Sequence, residues 1–411
     1  TRQTTKMSEV DVLKITNEDA AFILGKGGRT KEKIARVSGA DLDLFEHSLT
    51  LEIRGTEDER NRAKKYVECV MAQRVGPVHI EEDDGEDLTT IMVPSEAVGF
   101  VTGSQGNFLR QVEEEWGTLM FFADYRSKDR GQSGATEKLA IFGPRRGRRG
   151  AELKVMAAVE TKSPGYFNDR LKEEDEEEDW GLKTITLKPD ELSYALGKKG
   201  MTRKKLAKSS GCIVEYVGYT VCLAGARDER KRAEEYLGWL FDQLKGPVYV
   251  NGWEEREDCT CVDIPQDCVG YVTGARRATL GKIEEEWGTL MFFADYRSKD
   301  RGQSGATEKL AIFGPRRGRR GAELKVMAAV ETKSPGYFND RLKEEDEEED
   351  WGLKTITLKP DELSYALGKK GMTRKKLAKS SGCIVEYVGY TVCLAGARDE
   401  RKRAEEYLGW L

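Results

Sequence analysis

A short basic turn between two glycines is the feature of this sequence best suited to chemistry. Residues 195–205 read Ala-Leu-Gly-Lys-Lys-Gly-Met-Thr-Arg-Lys-Lys; the stretch recurs unchanged at 366–376, and a variant begins at residue 23. Glycine lacks a Cβ atom, so a ligand can approach the backbone closely. A helix that begins after such a turn would point its free N–H groups and the positive end of its dipole at an anion. The pattern therefore indicates binding of phosphate.

Length and composition favour several globular domains. The chain has 411 residues, of which 38% are hydrophobic and 34% are charged. No apolar run approaches the roughly 18 residues of a transmembrane helix, and no apolar leader is visible, so neither a membrane span nor a signal peptide is expected. The sequence begins without Met and stops inside a repeat, as expected of a segment cut from a longer protein.

Cysteines and histidines give no sign of a reactive centre. We interpret the eight cysteines as small buried side chains in a reducing compartment, so we expect an intracellular and cytoplasmic rather than nuclear location. Cys259, Cys261 and Cys268 cluster but lack paired zinc spacing and a nearby His. His47 and His79 neighbour no Ser or Cys nucleophile. We predict no cofactor, no metal site and no enzymatic activity.

The net charge of −5 conceals a segregation of charge along the chain. Residues 172–179 hold seven acids and one base, whereas residues 182–250 hold 13 Lys/Arg against 8 Asp/Glu. Acid is thus concentrated in linkers and base around the glycine turns. The acidic linkers could be solvated spacers, or they could compete with nucleic acid for the basic turns.

Internal repetition defines the organisation of the chain. Residues 113–240 are identical to residues 284–411, and glycine turns begin at 25, 103, 197, 274 and 368. The alternating distances between turns indicate two kinds of unit, which we call odd and even modules. The predicted modules are 1 (8–76), 2 (88–166), 3 (182–247), 4 (258–337) and 5 (353–411, truncated), with acidic linkers at 77–87, 167–181, 248–257 and 338–352.

Hydrophobic periodicity predicts the order β-α-α-β-β-α in each module. In module 1 it predicts a strand at 10–16, a helix capped by Asn17, a second helix at 30–37, strands at 41–44 and 49–53, and a long last helix.

Even modules differ from odd ones in three predicted features. Their second helices end in Glu-Glu-Glu-Trp, and long polar loops occupy 124–136 and 295–307. Their last helices are rich in arginine and have Pro144 and Pro315 at the first helical position. We interpret these arginines as a solvated helix start, with the acids of 173–179 as candidate partners. We expect Trp116, Phe121 and Phe122 to pack in the core rather than stack on bases.

This order, with a Gly-x-x-Gly turn between the first two helices, resembles the type I K-homology (KH) domain. The segments 24–34 and 196–206, which contain Leu-Gly-Lys, match it. So do the sequences Gly-Thr at 55 and Gly-Ala-Arg at 225, which lead into the last helix of their modules. Five such turns in one chain look like a vigilin-type multi-KH array. The resemblance implies an α+β fold in which a three-stranded antiparallel sheet packs against three helices.

The resemblance also implies a groove for about four single-stranded nucleotides, clamped by the Gly-x-x-Gly loop. Base identity would be read near Leu42, Val214 and Val385. The predicted RNA-binding residues are Gly25, Lys26, Gly27, Gly28, Arg29 and Lys31 in module 1; Gly103, Ser104, Gln105 and Gly106 in module 2; Gly197, Lys198, Lys199, Gly200, Arg203 and Lys204 in module 3; and Gly368, Lys369, Lys370, Gly371, Arg374 and Lys375 in module 5.

The even modules depart from this pattern. Arg277 replaces the second glycine of module 4, and its side chain should obstruct close approach of a phosphate. Module 2 offers the neutral Ser104 and Gln105, and its acidic helix end would repel phosphate if it faced the groove. We therefore expect odd modules to bind nucleic acid and even modules to bind weakly or to act as spacers.

Two functions remain open at this point. The first is multivalent binding of single-stranded RNA, or of single-stranded DNA, in which linked modules multiply weak affinities. The second is a scaffold of KH folds that binds protein partners or a large ribonucleoprotein such as the ribosome. Self-association through the repeats is a further expected property, and no membrane partner is expected.

Overall fold

The computed structural model describes most of the chain. Described are residues 9–80, 86–123, 135–167, 171, 179–246, 248–250, 252–294, 306–338, 342 and 350–411. Within them the order β-α-α-β-β-α recurs five times. The α+β class predicted from the sequence is confirmed.

Module 1 sets the pattern for the others. Its elements are β1 (Glu9–Lys14), α1 (Asn17–Leu24), α2 (Arg29–Ser38), β2 (Asp41–Phe45), β3 (Thr50–Gly55) and α3 (Glu57–Val75). One 3-10 turn, Lys26–Gly28, joins α1 to α2. Thr16, rather than the predicted Asn17, caps α1, because its side chain accepts from the backbone N–H of Asp19.

Modules 2 and 3 repeat this order. Module 2 contains β4 (Leu88–Pro94), α4 (Ser95–Thr102), α5 (Asn107–Trp116), β5 (Leu119–Ala123), β6 (Thr136–Phe142) and α6 (Arg145–Lys162). Module 3 contains β7 (Trp180–Thr186), α7 (Pro189–Leu196), α8 (Met201–Ser210), β8 (Ile213–Val217), β9 (Thr220–Ala226) and α9 (Arg227–Lys245). Pro144 is the cap residue that precedes α6, one position earlier than the sequence suggested.

Modules 4 and 5 complete the series. Module 4 contains β10 (Cys259–Pro265), α10 (Gln266–Thr273), α11 (Ala278–Trp287), β11 (Leu290–Ala294), β12 (Thr307–Phe313) and α12 (Arg316–Lys333). Module 5 contains β13 (Trp351–Thr357), α13 (Pro360–Leu367), α14 (Met372–Ser381), β14 (Ile384–Val388), β15 (Thr391–Ala397) and α15 (Arg398–Gly409). The exact module boundaries stay predictions.

Each module has one three-stranded sheet whose last strand lies in the middle. In module 1 the order is β1-β3-β2, and the other four sheets follow it. The strand pairs of modules 1, 2, 4 and 5 are antiparallel; Leu42, for example, lies opposite Ile53. The strand after the second helix is therefore an edge strand of its sheet.

The core forms as the hydrophobic periodicity predicts. In module 1, Ile34 and Val37 of α2 point inward, and Tyr66 of α3 is fully buried. Phe121 and Phe142 of module 2 join the same cluster, so the cores of modules 1 and 2 are continuous. Phe121 packs in the core as expected, with its ring centroid 5.7 Å from that of Phe142.

Two of the predicted linkers are more than solvated spacers. Val78 and Ile80, in the linker 77–87, are 5% exposed and belong to the core that modules 1 and 2 share. In the linker 248–257, Val248 is 2% exposed and forms a parallel bridge with Ala294 of module 4. The acids of 173–178 and most of the polar loops, 124–134 and 295–305, lie outside the described residues.

The chain divides into two compact units. The first comprises residues 1–176, 182–187 and 215–224, and the second comprises 177–181, 188–214 and 225–411. Their boundary passes through module 3. Among the described residues, no helix is both long enough and apolar enough to cross a membrane.

Candidate nucleic-acid interface

The first glycine of each loop is required by its surroundings. Gly25 has φ +66°, and a Cβ atom there would lie 2.2 Å from Oγ1 of Thr30 at the start of the next helix. The first glycines of the other loops have φ values between +67° and +72° and meet similar obstruction. Any other residue would combine an unfavourable backbone conformation with a steric clash. This glycine therefore shapes the turn itself.

The second glycine has a different role. Gly28 also has a positive φ, +80°, but the atom nearest to a Cβ built there is a carboxylate oxygen of Glu32, 3.9 Å away. At Gly200 the nearest atom is Nε of Arg203, at 3.8 Å. The space that a side chain would occupy at this glycine is therefore open, as a phosphate that approaches the N-terminus of the following helix would require.

The loop lysines of the odd modules face solvent. The five are Lys26, Lys198, Lys199, Lys369 and Lys370, and all are exposed. Nowhere in the described part of the chain does one of these side chains form an ion pair. Lys199 and Lys370 also hold φ values of +54° and +56°, which cost roughly 1–2 kcal/mol each in a non-glycine residue. The loops thus present unpaired positive charge beside the open second glycine.

The other predicted cations divide into two groups. Arg29, Lys204 and Lys375 are exposed and have no ion-pair partner among the described residues. Three others donate to carbonyl oxygens of the adjacent edge strand, each over 3.0 Å: Lys31 to Leu42, Arg203 to Val214 and Arg374 to Val385. These three link the second helix to the edge strand, so they are less available to a phosphate.

The predicted base-reading residues offer little surface. The side chains of Leu42, Val214 and Val385 are between 1% and 5% exposed. Their carbonyl oxygens accept from the basic side chains described above. A base in this groove would therefore meet the rim of the edge strand rather than these side chains.

Arg277 folds back into module 4 instead of projecting from its loop. Its guanidinium donates to the carbonyl oxygen of Met291 over 2.9 Å and to Glu284 over 3.2 Å. Met291 occupies the edge-strand position that Val214 holds in module 3, so an arginine from a different position reaches the equivalent carbonyl. The Arg277 side chain thus lies between the second helix and the edge strand, and obstruction of a phosphate by this residue stays a prediction.

The acidic helix ends of the even modules are engaged with protein. The side chain of Glu113 is 4% exposed; it accepts from the backbone N–H of Met120 over 2.8 Å and pairs with Lys33 of module 1 over 2.9 Å. In module 4, Glu284 accepts from the N–H of Met291 over 2.9 Å and pairs with Lys205 of module 3 over 2.6 Å. Each glutamate joins its own edge strand to the second helix of the preceding module.

A groove between α2 and α5 carries mixed charge. It has a volume of about 460 Å³ and is lined by basic residues of both helices, among them Arg29, Arg36 and Arg110, and by acids that include Glu114. A smaller cavity of about 300 Å³ lies between Gly25 and Lys26 of the first loop and Leu119 and Met120 of β5. The first loop thus lies beside the edge strand of module 2.

The arginine-rich start of α6 is built for packing, which the sequence did not reveal. Arg148 donates to the carbonyl oxygens of Gly143 and Leu88 over 2.9 and 2.6 Å, and burial lowers the pKa of its guanidinium. A Cβ on Gly150 would lie 2.2 Å from the ring of Trp116, so this glycine makes room for the indole. The Gly-Arg-Arg-Gly pattern is the available signal, but on its own it fits the predicted solvated helix start equally well.

Six of the eight cysteines are buried, as predicted, whereas Cys69 and Cys261 are partly exposed. Cys222 and Cys393 are fully buried, and burial raises the pKa of each thiol to about 12. Among the described residues there is no group of three or more His, Cys, Asp or Glu placed to hold a metal ion.

Comparison with known proteins finds one family model that matches part of the chain. Residues 10–69 match the KH domain family. The chain is 23% identical over 228 residues to far upstream element-binding protein 2 of Rattus norvegicus, covering 51% of this chain and 30% of that protein. It is 26% identical over 137 residues to far upstream element-binding protein 1 of Homo sapiens, covering 32% of this chain and 21% of that protein. The chain thus spans less than a third of the length of these relatives.

Solved structures give weaker similarities. Dim2p from Pyrococcus horikoshii matches at 16% identity with a TM-score of 0.18, covering 36% of this chain and 90% of that one. A structure described as KH domains matches at 11% identity with a TM-score of 0.14, covering 83% of this chain and 93% of that one. Residues 10–69 thus resemble a KH domain by sequence, and the element order of that segment recurs in the other four modules.

Proposed function

We propose, on the premise that this chain is a tandem array of KH domains, that its odd modules bind single-stranded RNA. KH domains bind single-stranded nucleic acid by clamping its backbone with the Gly-x-x-Gly loop. The observation that carries the proposal is the set of exposed, unpaired lysines beside the open second glycines of modules 1, 3 and 5. Each loop also leads into a ten-residue helix whose N-terminus favours an anion.

The even modules act as packing partners in this proposal. Their loops carry Ser104 and Gln105 or the folded-back Arg277, and their buried glutamates pair with lysines of the preceding odd modules. Nucleotide binding is thereby assigned to three sites linked on one chain. Linked sites raise the overall affinity because binding at one raises the effective concentration at the next.

The names of the relatives support nucleic acid as the ligand class. Both relatives reported above are named for binding a far upstream element. Single-stranded DNA is the alternative ligand, because discrimination depends on contacts with the 2′-OH. The intracellular, cytoplasmic setting and the absence of enzymatic activity belong to the same proposal.

A scaffold role is the second candidate. The ion pairs between modules 1 and 2 and between modules 3 and 4, and the core shared by modules 1 and 2, favour it, because they are protein–protein contacts between neighbouring modules. In that case the exposed faces of the array would hold protein partners or a ribonucleoprotein such as the ribosome, and isolated RNA would bind poorly.

Charge reversal in the loops tests the RNA proposal. In the full chain, Lys198, Lys199, Lys369 and Lys370 are replaced by Asp, and binding to random single-stranded RNA is measured by fluorescence anisotropy. Like charge facing phosphate should lower affinity at least tenfold. Single-stranded DNA of matched sequence, measured in parallel, shows whether the 2′-OH matters.

The matched control places the same charge in an even loop. Ser104→Asp with Gln105→Asp should change affinity less than twofold, and circular dichroism should show that all variants remain folded. Unchanged RNA affinity in the odd-loop variant would overturn the clamping assignment. Absence of binding in the unmodified chain would favour the scaffold.

A further inference from the structure

Modules 3 and 5 form an internal comparison. Residues 182–240 and 353–411 have the same sequence, so each side chain of one has an identical counterpart in the other. Their surroundings differ: module 4 packs against α8 of module 3, whereas the described residues include no module after module 5, where the equivalent helix is α14. Module 3 also continues to the end of α9 at Lys245, beyond the counterpart of Leu411, and Tyr194 bonds to Gln243 there. Differences in exposure between the two copies therefore identify what module 4 and the end of α9 cover together.

In module 3 this face is covered by module 4. Lys205 pairs with the buried Glu284 over 2.6 Å, and Ser209 is 3% exposed. The aliphatic chain of Lys208 lies so close to Gly288 that a Cβ built on that glycine would be 3.1 Å from it. The second helix of module 3 is thus in direct contact with the end of α11.

Aromatic packing extends the same interface. The ring centroid of Trp239 in α9 lies 4.6 Å from that of Phe313 and 6.2 Å from that of Phe292, both in module 4. The ring centroid of Tyr236 lies 5.4 Å from that of Phe313. The interface therefore combines a buried ion pair with an apolar cluster, as stable protein contacts do.

In module 5 the identical residues are exposed. Ser380 and Lys376, the counterparts of Ser209 and Lys205, are exposed, and Lys376 has no ion-pair partner in the described ranges. Tyr365 and Trp410, the counterparts of the partly buried Tyr194 and Trp239, are 67% and 71% exposed. These four residues define what we call the terminal face.

We propose that the terminal face binds a further KH module of the even type. Such a module would have a second helix ending in Glu-Glu-Glu-Trp, with its first glutamate buried against the following strand and available to Lys376. Modules 1 and 2 show the same pairing with a different odd sequence, through Lys33 and Glu113 at 2.9 Å. The proposal does not depend on nucleic-acid binding.

The observations favour a protein partner over nucleic acid at this face. The side chains of Tyr365 and Trp410 are aromatic and exposed, and the counterparts of Lys376 in modules 1 and 3 both pair with a carboxylate. The loop lysines Lys369 and Lys370, by contrast, have no protein partner in the described residues, and neither do their counterparts in module 3. The two kinds of lysine thus have separate roles within one module.

Thiol labelling tests the terminal face. Ser380→Cys is compared with Ser209→Cys in the full chain, and the rate at which each introduced thiol reacts with a disulfide reagent is measured by peptide mass spectrometry. The thiol at position 380 should react rapidly and the thiol at position 209 at least a hundredfold more slowly, because only the latter is covered. The chain is then extended after Leu411 by a second copy of residues 241–338, which supplies a further even module. This extension should lower the rate at position 380 to that at position 209.

Three controls make the result decisive. Extension by residues 241–246 alone, which only completes the last helix, should leave the rate at position 380 high. In the fully extended chain, Lys376→Glu should restore rapid labelling, whereas Lys375→Glu should not. Rapid labelling after full extension, or equal effects of the two lysine variants, would overturn the proposal. So would protection in the unextended chain that rises with protein concentration, since a second copy would then cover the face.

Discussion

At the scale of single residues, the two glycines of each loop are not equivalent. The first glycine combines a positive φ with a space into which no Cβ fits, whereas the second needs only the left-handed backbone. Arg277 confirms the distinction, because module 4 accepts an arginine with φ +63° at the second position but keeps Gly274 at the first. The Gly-x-x-Gly spacing was evident from the sequence, but these separate roles depend on the three-dimensional path of the turn.

Alanine substitution in module 1 separates the two roles. Gly28→Ala should lower the local free energy of opening by about 1–2 kcal/mol, the usual penalty of a non-glycine residue in the left-handed backbone region. Gly25→Ala should lower it more, because its Cβ would also displace Thr30. Hydrogen exchange of α2, whose sequence is unique in the chain, measures the local free energy of opening. Equal losses in the two variants would contradict the assignment.

At the scale of elements, the second helices of modules 1 and 3 have two faces with different partners. The buried face of each packs in its own core, and a lysine on its outer side pairs with the even module that follows. The amphipathic pattern predicted the inner face correctly. The outer pair could not be predicted, since Lys33 and Glu113 are 80 residues apart and meet only through packing between modules.

Loss of charge at Glu113 should loosen this contact. Glu113→Gln keeps an acceptor for the N–H of Met120 but leaves Lys33 without its ionic partner. The local free energy of opening should fall by about 1–3 kcal/mol: Glu113 is buried, which makes loss of the pair costly, but Lys33 is partly exposed, which limits the loss. Hydrogen exchange of α2 again reports the effect. Glu114→Gln, a matched change at the exposed neighbour, should alter the opening free energy by less than about 0.5 kcal/mol. Equal effects of the two variants would argue against the pair.

At the scale of the whole molecule, repetition made much of the fold predictable. Five recurrences of one pattern predicted the element order of every module, and the resemblance to KH domains supplied the three-stranded antiparallel sheet but not its strand order. No pattern in the chain indicated that Val78 and Ile80 of an acidic linker are buried, or that Arg148 ties α6 to its own sheet. Both depend on which surfaces meet, and composition carries no information about that.

The salt dependence of RNA binding tests the central claim most directly. If the five loop lysines of the odd modules contact phosphates, the logarithm of the association constant should fall with the logarithm of salt concentration with a slope of about −3.5. Affinity would then drop roughly a hundredfold between 50 and 200 mM salt. Replacing Lys198, Lys199, Lys369 and Lys370 by Asp should flatten the slope to about −0.7 or abolish binding. A slope near zero in the unmodified chain, or one that the replacement leaves unchanged, would contradict phosphate clamping by these loops.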